Sequence, residues 1–371
     1  MRVAFCGGGT GGHVYPALAV AAALRKLAEG QEPEMLYIGV RGKLDREIAT
    51  REGLQFRAVS AGPLRSGSPV ATARGGVKLL AGTAQAFSIL RGFKPDVVFA
   101  SGGYGSVGVG LAARAYRRKL LLFLPDVEAG LAVRTLVRLA NRIAVTVTPA
   151  LEHMPPAKTV VTGYPVREAF FTAERDAARE SLGLDPNLPT LLVSGASTGA
   201  SRLNHAVSSW ATDFLEIGQL VHVSGHADEA WLRAGVENLP RELQKRYHLH
   251  AYLHDEMPLA LAAADLAIMR AGASVLGELP AARLPAILVP GEYEGGYNQF
   301  ANARYMEQNE ASVVLPQERI EELQSMVMYL INNETRLTNM RAALGKLARP
   351  DAAENLARLL IEMAGKDRRR G

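Results

Sequence analysis

The sequence predicts an α/β protein built from two doubly wound parallel sheets. Short apolar runs alternate with longer helical stretches, which is the pattern of strands that are buried on both faces between helices. This rhythm starts at Arg2 and restarts at Thr190, so the chain holds two units of similar size. Three glycine-rich segments also follow predicted strands and precede predicted helices. A chain of 371 residues is long enough to bury a core in each of two domains.

The predicted elements of the first half have the order of a Rossmann-like domain. They are strands at 2–6, 35–38, 97–100, 120–124 and 143–147, with helices at 15–28, 44–52 and 107–116. The second half repeats the alternation. Its predicted strands are 190–194, 220–224, 248–252, 266–269 and 286–289, and its first helix is 201–214.

A connection that contains glycine and proline, residues 161–165, marks the predicted domain boundary. We assign residues 1–163 to an N-terminal domain and residues 164–345 to a C-terminal domain. The last segment, residues 346–371 with a helix at 351–364, is expected to pack back on the first domain. Because open parallel sheets bind ligands at the carboxyl ends of their strands, we expect the two domains to face a ligand-binding cleft.

Composition narrows the classes of function. Lysine and arginine total 42 against 37 acidic residues, a modest excess that suits an anionic ligand or an anionic membrane surface. Basic and aromatic residues are not interleaved, so no nucleic acid partner is expected. No apolar run reaches the ~20 residues of a transmembrane helix. Cys6 is the only cysteine, which excludes an intrachain disulfide and favours a reducing cytoplasm; it fits a small core residue better than a nucleophile.

The first glycine-rich segment reads Gly7-Gly8-Gly9-Thr10-Gly11-Gly12 and is followed by His13. Without side chains, the backbone N–H groups of such a loop can approach a phosphate, and the next helix N-terminus adds positive potential. A tight turn alone needs fewer glycines. His13 at the helix start is a candidate base for a substrate hydroxyl, and the alternative is a structural histidine.

Two further loops have the same position after a strand. Ser101-Gly102-Gly103-Tyr104-Gly105-Ser106 follows the strand at 97–100. Gly195 to Ala200, with Ser197 and Thr198, follows the strand at 190–194. Three such loops predict anionic ligands bound by both domains.

Polar residues near the end of the second half suit a sugar nucleotide. Glu278 lies one turn into the helix after Gly272 and is a candidate for binding a ribose diol, although it is equally an ordinary helix charge. Asn298 and Gln299 precede another helix; their amides can contact sugar hydroxyls, or Asn298 can cap that helix. The sequence has no Cys/His cluster and no Asp-x-Asp pair, so we expect neither a metal ion nor another cofactor.

These segments together resemble the MurG family, the N-acetylglucosaminyltransferases that convert lipid I into lipid II in peptidoglycan synthesis. Residues 9–18 are close to the family's first loop, and Gly102-Gly103-Tyr104 matches its second. Residues 163–167, Gly-Tyr-Pro-Val-Arg, resemble its Gly-Asn-Pro-Val-Arg, and residues 195–200 resemble its Gly-Gly-Ser-Gln-Gly-Ala. The resemblance extends from the first strand to about residue 345.

The resemblance implies the GT-B architecture and an inverting transfer from UDP-N-acetylglucosamine (UDP-GlcNAc) to the C4 hydroxyl of N-acetylmuramic acid in lipid I. It implies donor contacts from Thr10, Gly11, Gly12, Arg167, Ser197, Thr198, His254, Glu278, Asn298 and Gln299. It implies that the acceptor diphosphate is bound by Gly9, Gly102, Gly103 and Tyr104. His13 is then the candidate catalytic base.

One segment departs from the family. After the strand at 120–124 the family has His-Glu-Gln-Asn, whereas this chain has Pro125-Asp126-Val127-Glu128. Asp126 or Glu128 is a candidate to supply the missing polar function, as the base or as a partner of His13. Alternatively, the enzyme uses UDP-sugar with a different lipid or small-molecule acceptor. A third reading is a nucleotide-sugar-binding protein without activity, if the change removed the base.

Residues 64–93 contain basic residues, among them Arg74 and Lys78, between apolar ones. In the family this region contributes to a membrane-facing patch. The resemblance therefore implies a peripheral protein on the cytoplasmic face of the cell membrane, where the undecaprenyl-diphosphate-linked muropeptide (lipid I) is presented. The alternative is an ordinary amphipathic helix.

Overall fold

The computed structural model describes residues 1–8, 11–28, 30, 32–42, 44–62, 69–195, 199–293 and 297–368. The chain divides into two compact units. Unit 1 comprises Met1–Arg167, Tyr293–Tyr297 and Arg349–Gly371, and unit 2 comprises Glu168–Glu292 and Asn298–Ala348. Each unit has its own parallel β-sheet with helices, which confirms the predicted α/β class with two Rossmann-like domains.

Unit 1 is built on a seven-stranded sheet in the order β3-β2-β1-β4-β5-β6-β7, with parallel pairing throughout. Its strands are β1 Arg2–Cys6, β2 Glu34–Val40, β3 Gln55–Val59, β4 Val97–Ala100, β5 Lys119–Leu124, β6 Arg142–Val145 and β7 Thr159–Val161. Its first helices are α1 Gly11–Leu27, α2 Asp45–Arg51, α3 Pro69–Phe93, α4 Tyr104–Ala115 and α5 Leu131–Val137, with short 3-10 helices at Thr148–His153 and Pro156–Lys158.

In unit 1 the five central strands were predicted, whereas the edge strands β3 and β7 were not. The predicted strands at 2–6 and 97–100 have the observed bounds of β1 and β4, whose residues are almost all buried. The edge strand β3 was missed because it forms no continuous buried run: exposed Gln55 and Arg57 alternate with half-buried residues before the buried Val59. Cys6 is fully buried in β1, and burial raises the pKa of its thiol, which confirms it as a core residue.

Unit 2 is built on a six-stranded parallel sheet in the order β10-β9-β8-β11-β12-β15. Its elements begin with α6 Ala169–Thr172, α7 Arg175–Ser181, β8 Thr190–Ser194, α8 Ser201–Ser209, α9 Ala211–Ile217, β9 Gln219–Val223, α10 Glu229–Glu237, α11 Arg241–Gln244 and β10 Tyr247–His250. They continue with α12 Met257–Ala263, β11 Leu266–Met269, α13 Val275–Ala282 and β12 Ala286–Leu288. The remaining elements are β13 Glu292–Tyr293 paired with β14 Tyr297–Asn298, α14 Phe300–Gln308, β15 Ser312–Val314, a 3-10 helix Gln317–Glu322, α15 Leu323–Ile331 and α16 Glu334–Leu347.

Two details of unit 2 differ from the prediction. The single helix expected at 201–214 is two helices, α8 and α9, because Trp210 leaves helical geometry (φ −107°, ψ 13°). The edge strand β15 was not predicted, since three residues give too short an apolar run to stand out.

The chain ends in a helix of unit 1, α17 Ala352–Arg368. It packs on α1 and buries Leu356, Ala357 and Leu360 completely. Lys119 at the start of β5 donates a hydrogen bond from Nζ to the carbonyl of Met363 in this helix (2.7 Å). The terminal helix therefore completes the core of the unit in which the chain began.

A neutral histidine lies inside the core of unit 2. His222 on β9 is completely buried; its Nδ1 lies 2.7 Å from the hydroxyl of Tyr247 and its Nε2 lies 3.0 Å from Oδ1 of Asn204. Burial lowers the pKa of His222 from 6.5 to about 3 because a charged imidazole would lose its hydration there. The ring is consequently neutral in the folded chain at physiological pH.

This histidine predicts acid sensitivity. Unfolded His222 binds a proton below pH 6.5 whereas folded His222 does not, so its contribution to stability is complete above pH 6.5 and decreases as the pH falls towards 3. The loss is about 1.4 kcal/mol per pH unit. Urea unfolding at pH 7, 6 and 5 measures it, with the His222→Gln variant as the control that lacks the titrating group. Equal pH dependence in the two proteins would contradict this origin.

Candidate functional site

The first two glycine loops pack against each other at the carboxyl edge of the sheet of unit 1. They follow the neighbouring strands β1 and β4, in which Cys6 pairs with Ala100. A Cβ atom added to Gly8 would lie 3.1 Å from Cα of Gly105, and one added to Gly103 would lie 2.7 Å from the carbonyl oxygen of Gly8. These distances leave no room for side chains, so the glycines are required by the contact between the two loops.

The second loop brings the N-terminus of α4 to this edge. Gly103 has φ 73° and ψ 159°, a conformation that is essentially restricted to glycine, and α4 starts at the next residue, Tyr104. Ser106 donates from Oγ to the carbonyls of Gly102 (2.7 Å) and Gly103 (2.8 Å) and so fixes this turn. The helix thus begins three residues before the predicted start at 107. Its 12 residues direct their first N–H groups and positive end towards the loop, an environment that favours an anion.

His13 lies in the first turn of α1, and Ser101 forms hydrogen bonds with both its ring and its backbone carbonyl. Its Nδ1 lies 2.8 Å from the carbonyl oxygen of Ser101, and Oγ of Ser101 donates to the carbonyl of His13 (2.6 Å). A carbonyl only accepts, so in the neutral ring Nδ1 carries the hydrogen and Nε2 carries the lone pair. The half-buried imidazole is therefore oriented and has the tautomer of a proton acceptor at Nε2.

The ring of His13 lies beside the second loop. A Cβ atom on Gly102 would be 3.5 Å from Cε1 of His13, and one on Gly103 would be 3.1 Å from its Cδ2. The structure thus brings three of the predicted residues together within unit 1: His13, Gly102 and Gly103. Gly11 and Gly12 stand at the start of the same helix, α1. Gly9 and Thr10 lie outside the described residues.

Tyr164 contributes to this region and was not predicted. Its hydroxyl donates to the carbonyl of Gly12 (3.2 Å), and its buried ring packs edge-on against Phe123 of β5, with centroids 6.1 Å apart. The family has asparagine at this position. In this chain a phenol therefore stands in place of the amide and supports the first turn of α1. No local pattern indicates this contact, because 152 residues separate the partners.

Arg167, predicted to contact the donor, lies at the end of the first segment of unit 1. Its guanidinium group is placed over the ring of Tyr15 in α1, 5.2 Å from the centroid. Its side chain is therefore associated with the helix that carries His13.

The divergent segment between β5 and α5 lies at the same sheet edge. Asp126 is half-buried and Glu128 is exposed. The following helix, α5, reaches the second loop, since a Cβ atom on Gly102 would be 3.1 Å from Cγ2 of Val133. The described hydrogen bond of the His13 ring is the one with the carbonyl oxygen of Ser101.

Tyr104 is adjacent to a buried carboxylate that sequence inspection missed. Asp45 at the start of α2 is completely buried and accepts a hydrogen bond from the backbone N–H of Val40 (2.9 Å). Burial and, second, the charge of Asp45 raise the pKa of Tyr104. The phenol of Tyr104 therefore keeps its hydrogen and remains a donor.

The third glycine loop follows β8 in unit 2. A Cβ atom on Gly195 would lie 2.5 Å from the backbone nitrogen of Ala200, so the two ends of the loop are in contact. Gly199 has φ +75°. Ser197 and Thr198, predicted to bind the donor, lie outside the described residues.

Buried amides connect the loops that follow β11 and β12. Gln299 is buried; its Oε1 accepts from the N–H of Gly291 (3.0 Å), and its Nε2 would lie 3.6 Å from a Cβ atom on Gly272. Asn302 of the same segment donates from Nδ2 to the carbonyl of Ala271 (3.1 Å). The side-chain amide of Gln299 was predicted to contact sugar hydroxyls; its oxygen already accepts a hydrogen bond within the protein.

The remaining predicted donor residues are also in unit 2. Glu278 is half-buried on α13, in the turn that follows Gly272. The backbone N–H of His254 donates to Oε2 of Glu256 (3.2 Å), and its ring contacts Tyr252 edge-on at 4.6 Å between centroids. Asn298 belongs to β14, and its side chain is outside the described set.

The described residues contain neither a metal-binding cluster nor a membrane-spanning helix. No group of three or more His, Cys, Asp or Glu side chains among them is arranged to hold a metal ion. No helix in the described ranges is both long enough and apolar enough to span a bilayer.

Comparison with known proteins identifies the family. Residues 3–145 match the glycosyltransferase family 28 N-terminal domain, and residues 190–356 match the family 28 C-terminal domain. The crystal structure of Acinetobacter baumannii MurG superimposes with a TM-score of 0.70 at 24% identity, covering 97% of this chain and 99% of that one. A UDP-GlcNAc 2-epimerase from Neisseria meningitidis, bound to UDP-GlcNAc, gives a TM-score of 0.68 at 13% identity over 98% and 100% of the chains. These likenesses show the shared fold.

Two relatives in sequence carry the same name. The UDP-N-acetylglucosamine–N-acetylmuramyl-(pentapeptide) pyrophosphoryl-undecaprenol N-acetylglucosamine transferase of Roseiflexus sp. (strain RS-1) is 37% identical over 97% of this chain and 94% of its own length. The transferase of the same name from Desulforudis audaxviator is 36% identical, with both chains covered completely. The chain therefore belongs to the MurG family of glycosyltransferase family 28, and it is a glycosyltransferase.

Proposed function

We propose that this enzyme transfers N-acetylglucosamine from UDP-GlcNAc to the C4 hydroxyl of N-acetylmuramic acid in lipid I, with inversion, to give lipid II. Family membership supports the donor and the acceptor. The observation that carries the mechanism is the orientation of His13, whose Nδ1 faces the carbonyl of Ser101 at 2.8 Å. In that tautomer Nε2 accepts the proton of the attacking hydroxyl as the new glycosidic bond forms and UDP departs.

The acceptor diphosphate is assigned to unit 1. The N-terminus of α4 supplies backbone N–H groups and a positive end beside Gly102, Gly103 and Tyr104. The protonated phenol of Tyr104 adds a further donor. We place the diphosphate against this edge together with Gly9, so that the sugar it carries presents its hydroxyl near His13.

The donor is assigned mainly to unit 2. The loop with Ser197 and Thr198 precedes the N-terminus of α8 and suits the diphosphate of UDP. Glu278 suits the ribose diol, the backbone at His254 suits uracil, and Asn298 and Gln299 suit the sugar. Because Oε1 of Gln299 already accepts a hydrogen bond from Gly291, Nε2 is the group that we assign as a donor to a sugar oxygen. We also assign to the donor four residues of unit 1: Thr10, Gly11, Gly12 and Arg167.

The two carboxylates of the divergent segment between β5 and α5 differ in burial, which bears on which of them supports His13. Asp126 is the half-buried carboxylate and Glu128 the exposed one, so Asp126 is the better candidate to stabilise the imidazolium ion that His13 becomes. A carboxylate within Coulomb range favours that charged form. Glu128 remains the alternative for this supporting function.

A peripheral membrane position is assigned to α3. This helix exposes Val77 (68%), Leu80 (74%) and Phe87 (37%), with Arg74 and Lys78 exposed beside them. Apolar side chains next to cations suit the interface of an anionic bilayer. We propose that this surface docks on the cytoplasmic face of the cell membrane, where the lipid acceptor resides.

An acceptor panel tests the proposed function. Purified full-length chain is incubated with UDP-GlcNAc and either a short-chain lipid I analogue, diacylglycerol or a set of small-molecule acceptors, and UDP release is followed. We expect acceptor-dependent UDP release only with the lipid I analogue. Release with another acceptor and none with lipid I would favour the related glycosyltransferase with altered acceptor. Calorimetric UDP binding without turnover on any acceptor would favour a non-catalytic binding protein.

A further inference from the structure

We propose that Asp228 is a positioning residue that fixes the first turn of α8 and thereby Gly199 and Ala200, the described end of the glycine loop that precedes this helix. The inference rests on the proposed function in one respect, namely that this loop binds the diphosphate of the donor. Asp228 lies at the start of α10, outside every motif that pointed to the site.

The carboxylate of Asp228 joins two helices. Its Oδ1 accepts from Nε1 of Trp231 in α10 (3.0 Å) and from Oγ of Ser201 (3.4 Å). Its Oδ2 accepts from Nδ2 of Asn204 (2.7 Å). Ser201 and Asn204 are the first and fourth residues of α8, so a single side chain holds the whole first turn of that helix.

The orientation of Asn204 is fixed by a buried chain of hydrogen bonds. Its Nδ2 donates to the carbonyl of Ser224 (2.8 Å) as well as to Asp228, so both hydrogens of the amide are used. Its Oδ1 then accepts from Nε2 of His222, whose Nδ1 accepts from the hydroxyl of Tyr247. From Tyr247 through His222 and Asn204, each group donates to the next in the direction of Asp228, and a carboxylate, which only accepts, is the group that can terminate this chain.

The ionisation of Asp228 agrees with that position. Burial raises the pKa of the carboxyl group, but hydrogen bonds from Trp231, Asn204 and Ser201 outweigh it and leave the pKa below the ordinary value of 3.8. Asp228 is therefore an anion across the neutral range, with each of its three donors in place.

The carbonyl of Ser224 connects this series of hydrogen bonds to the glycine loop. A Cβ atom on Gly199 (φ +75°) would lie 3.0 Å from the carbonyl oxygen of Ser224, which Asn204 holds. The other end of the loop, Gly195, packs against Ala200, where a Cβ atom would be 2.5 Å from the backbone nitrogen. Gly199 and Ala200 thus lie next to the turn that Asp228 fixes, and displacement of that turn moves the N–H groups that the start of α8 offers to the donor.

The test is Asp228→Asn in the full-length enzyme. The amide of the new asparagine would point hydrogens at groups that are themselves donors, such as Nδ2 of Asn204. A rotation of the Asn204 amide cannot compensate, because Oδ1 of Asn204 would then face the carbonyl oxygen of Ser224. We expect about a tenfold or larger increase in KM for UDP-GlcNAc, the size of the loss of a hydrogen bond to a charged group. KM for the acceptor and kcat are expected to change less than threefold, roughly the scatter of remote substitutions.

The matched control is Asp213→Asn on α9 of the same unit. Its carboxylate accepts from Nε2 of Gln324 (3.2 Å), a residue of α15, so the variant alters a comparable side-chain contact and should leave KM for UDP-GlcNAc unchanged. If Asp228→Asn does not fold, Trp231→Phe replaces it, because phenylalanine keeps a ring against His205 and withdraws one donor from Asp228. Trp231→Phe is then expected to raise the same KM.

Calorimetric binding of UDP separates this inference from the proposed function. A folded Asp228→Asn variant, or its Trp231→Phe replacement, with wild-type UDP affinity and wild-type KM for UDP-GlcNAc would overturn the role of Asp228. An equal rise in the KM values of donor and acceptor would also overturn it, because it would indicate general loosening. If the wild-type chain transfers to no acceptor, the proposed function fails, and weakened UDP binding in Asp228→Asn still supports the positioning role.

Discussion

Replacing His13 with alanine is expected to lower kcat by about 10²–10⁴-fold, the usual contribution of a general base. The imidazole is clamped at Nδ1 by the carbonyl of Ser101, and its Nε2 is the proposed proton acceptor. KM for UDP-GlcNAc should change little, because the donor is assigned mainly to unit 2. Steady-state kinetics with the short-chain lipid I analogue measure both parameters.

His153→Ala is the control for this substitution. His153 is an exposed histidine of the same unit, in the 3-10 helix Thr148–His153, and its removal should leave kcat unchanged. A His13→Ala enzyme with wild-type kcat would remove His13 from the mechanism. In that case Asp126, the half-buried carboxylate of the divergent segment, becomes the leading candidate for the base.

Gly103→Ala is expected to reduce kcat/KM for the acceptor by about 10²-fold, the effect of misplacing a reacting group by about 1 Å. Gly103 adopts φ 73° and ψ 159°, and a Cβ atom there would lie 2.7 Å from the carbonyl oxygen of Gly8 and 3.1 Å from Cδ2 of His13. The added methyl group must separate the two loops and push the imidazole away. The substitution therefore acts on the diphosphate site and on the base together.

Gly130→Ala provides a matched comparison for the loop substitution. Gly130 also precedes a helix of unit 1, but it has φ −69° and no atom within 4 Å of an added Cβ. Alanine fits there without strain, so activity and melting temperature should match those of the wild type. Equal losses in the two variants would show that the loop contact around Gly103 has no special role.

Local sequence was sufficient for the central strands and for the first two loops. β1, β4, β8 and β11 were predicted with their observed bounds because strands buried on both faces are continuous apolar runs between turn residues. The edge strands β3 and β15 lack that signal. Gly102, Gly103 and His13 were singled out because glycine-rich turns after strands are a local pattern with a physical cause, and the structure brings these three residues together.

Contacts between distant segments could not be predicted in this way. The bond from Tyr164 to Gly12 and the burial of Asp45 beside Tyr104 depend on which elements become neighbours in the sheet. The partner of Gln299 was equally unpredictable from local sequence. Its amide was expected to contact sugar hydroxyls, whereas its oxygen accepts a hydrogen bond from the backbone N–H of Gly291. Spacing along the chain identifies a polar group near a site but not the partner that occupies it.

Transfer of labelled N-acetylglucosamine is the most direct test of the central claim. The wild-type chain is incubated with UDP-GlcNAc labelled in the sugar and with the short-chain lipid I analogue, and the product is isolated and its anomeric proton examined by NMR. The proposed function predicts one labelled sugar per UDP released, attached at C4 of N-acetylmuramic acid in the β configuration, opposite to that of the donor. UDP release without label in the acceptor, or a product with retained configuration, would contradict it.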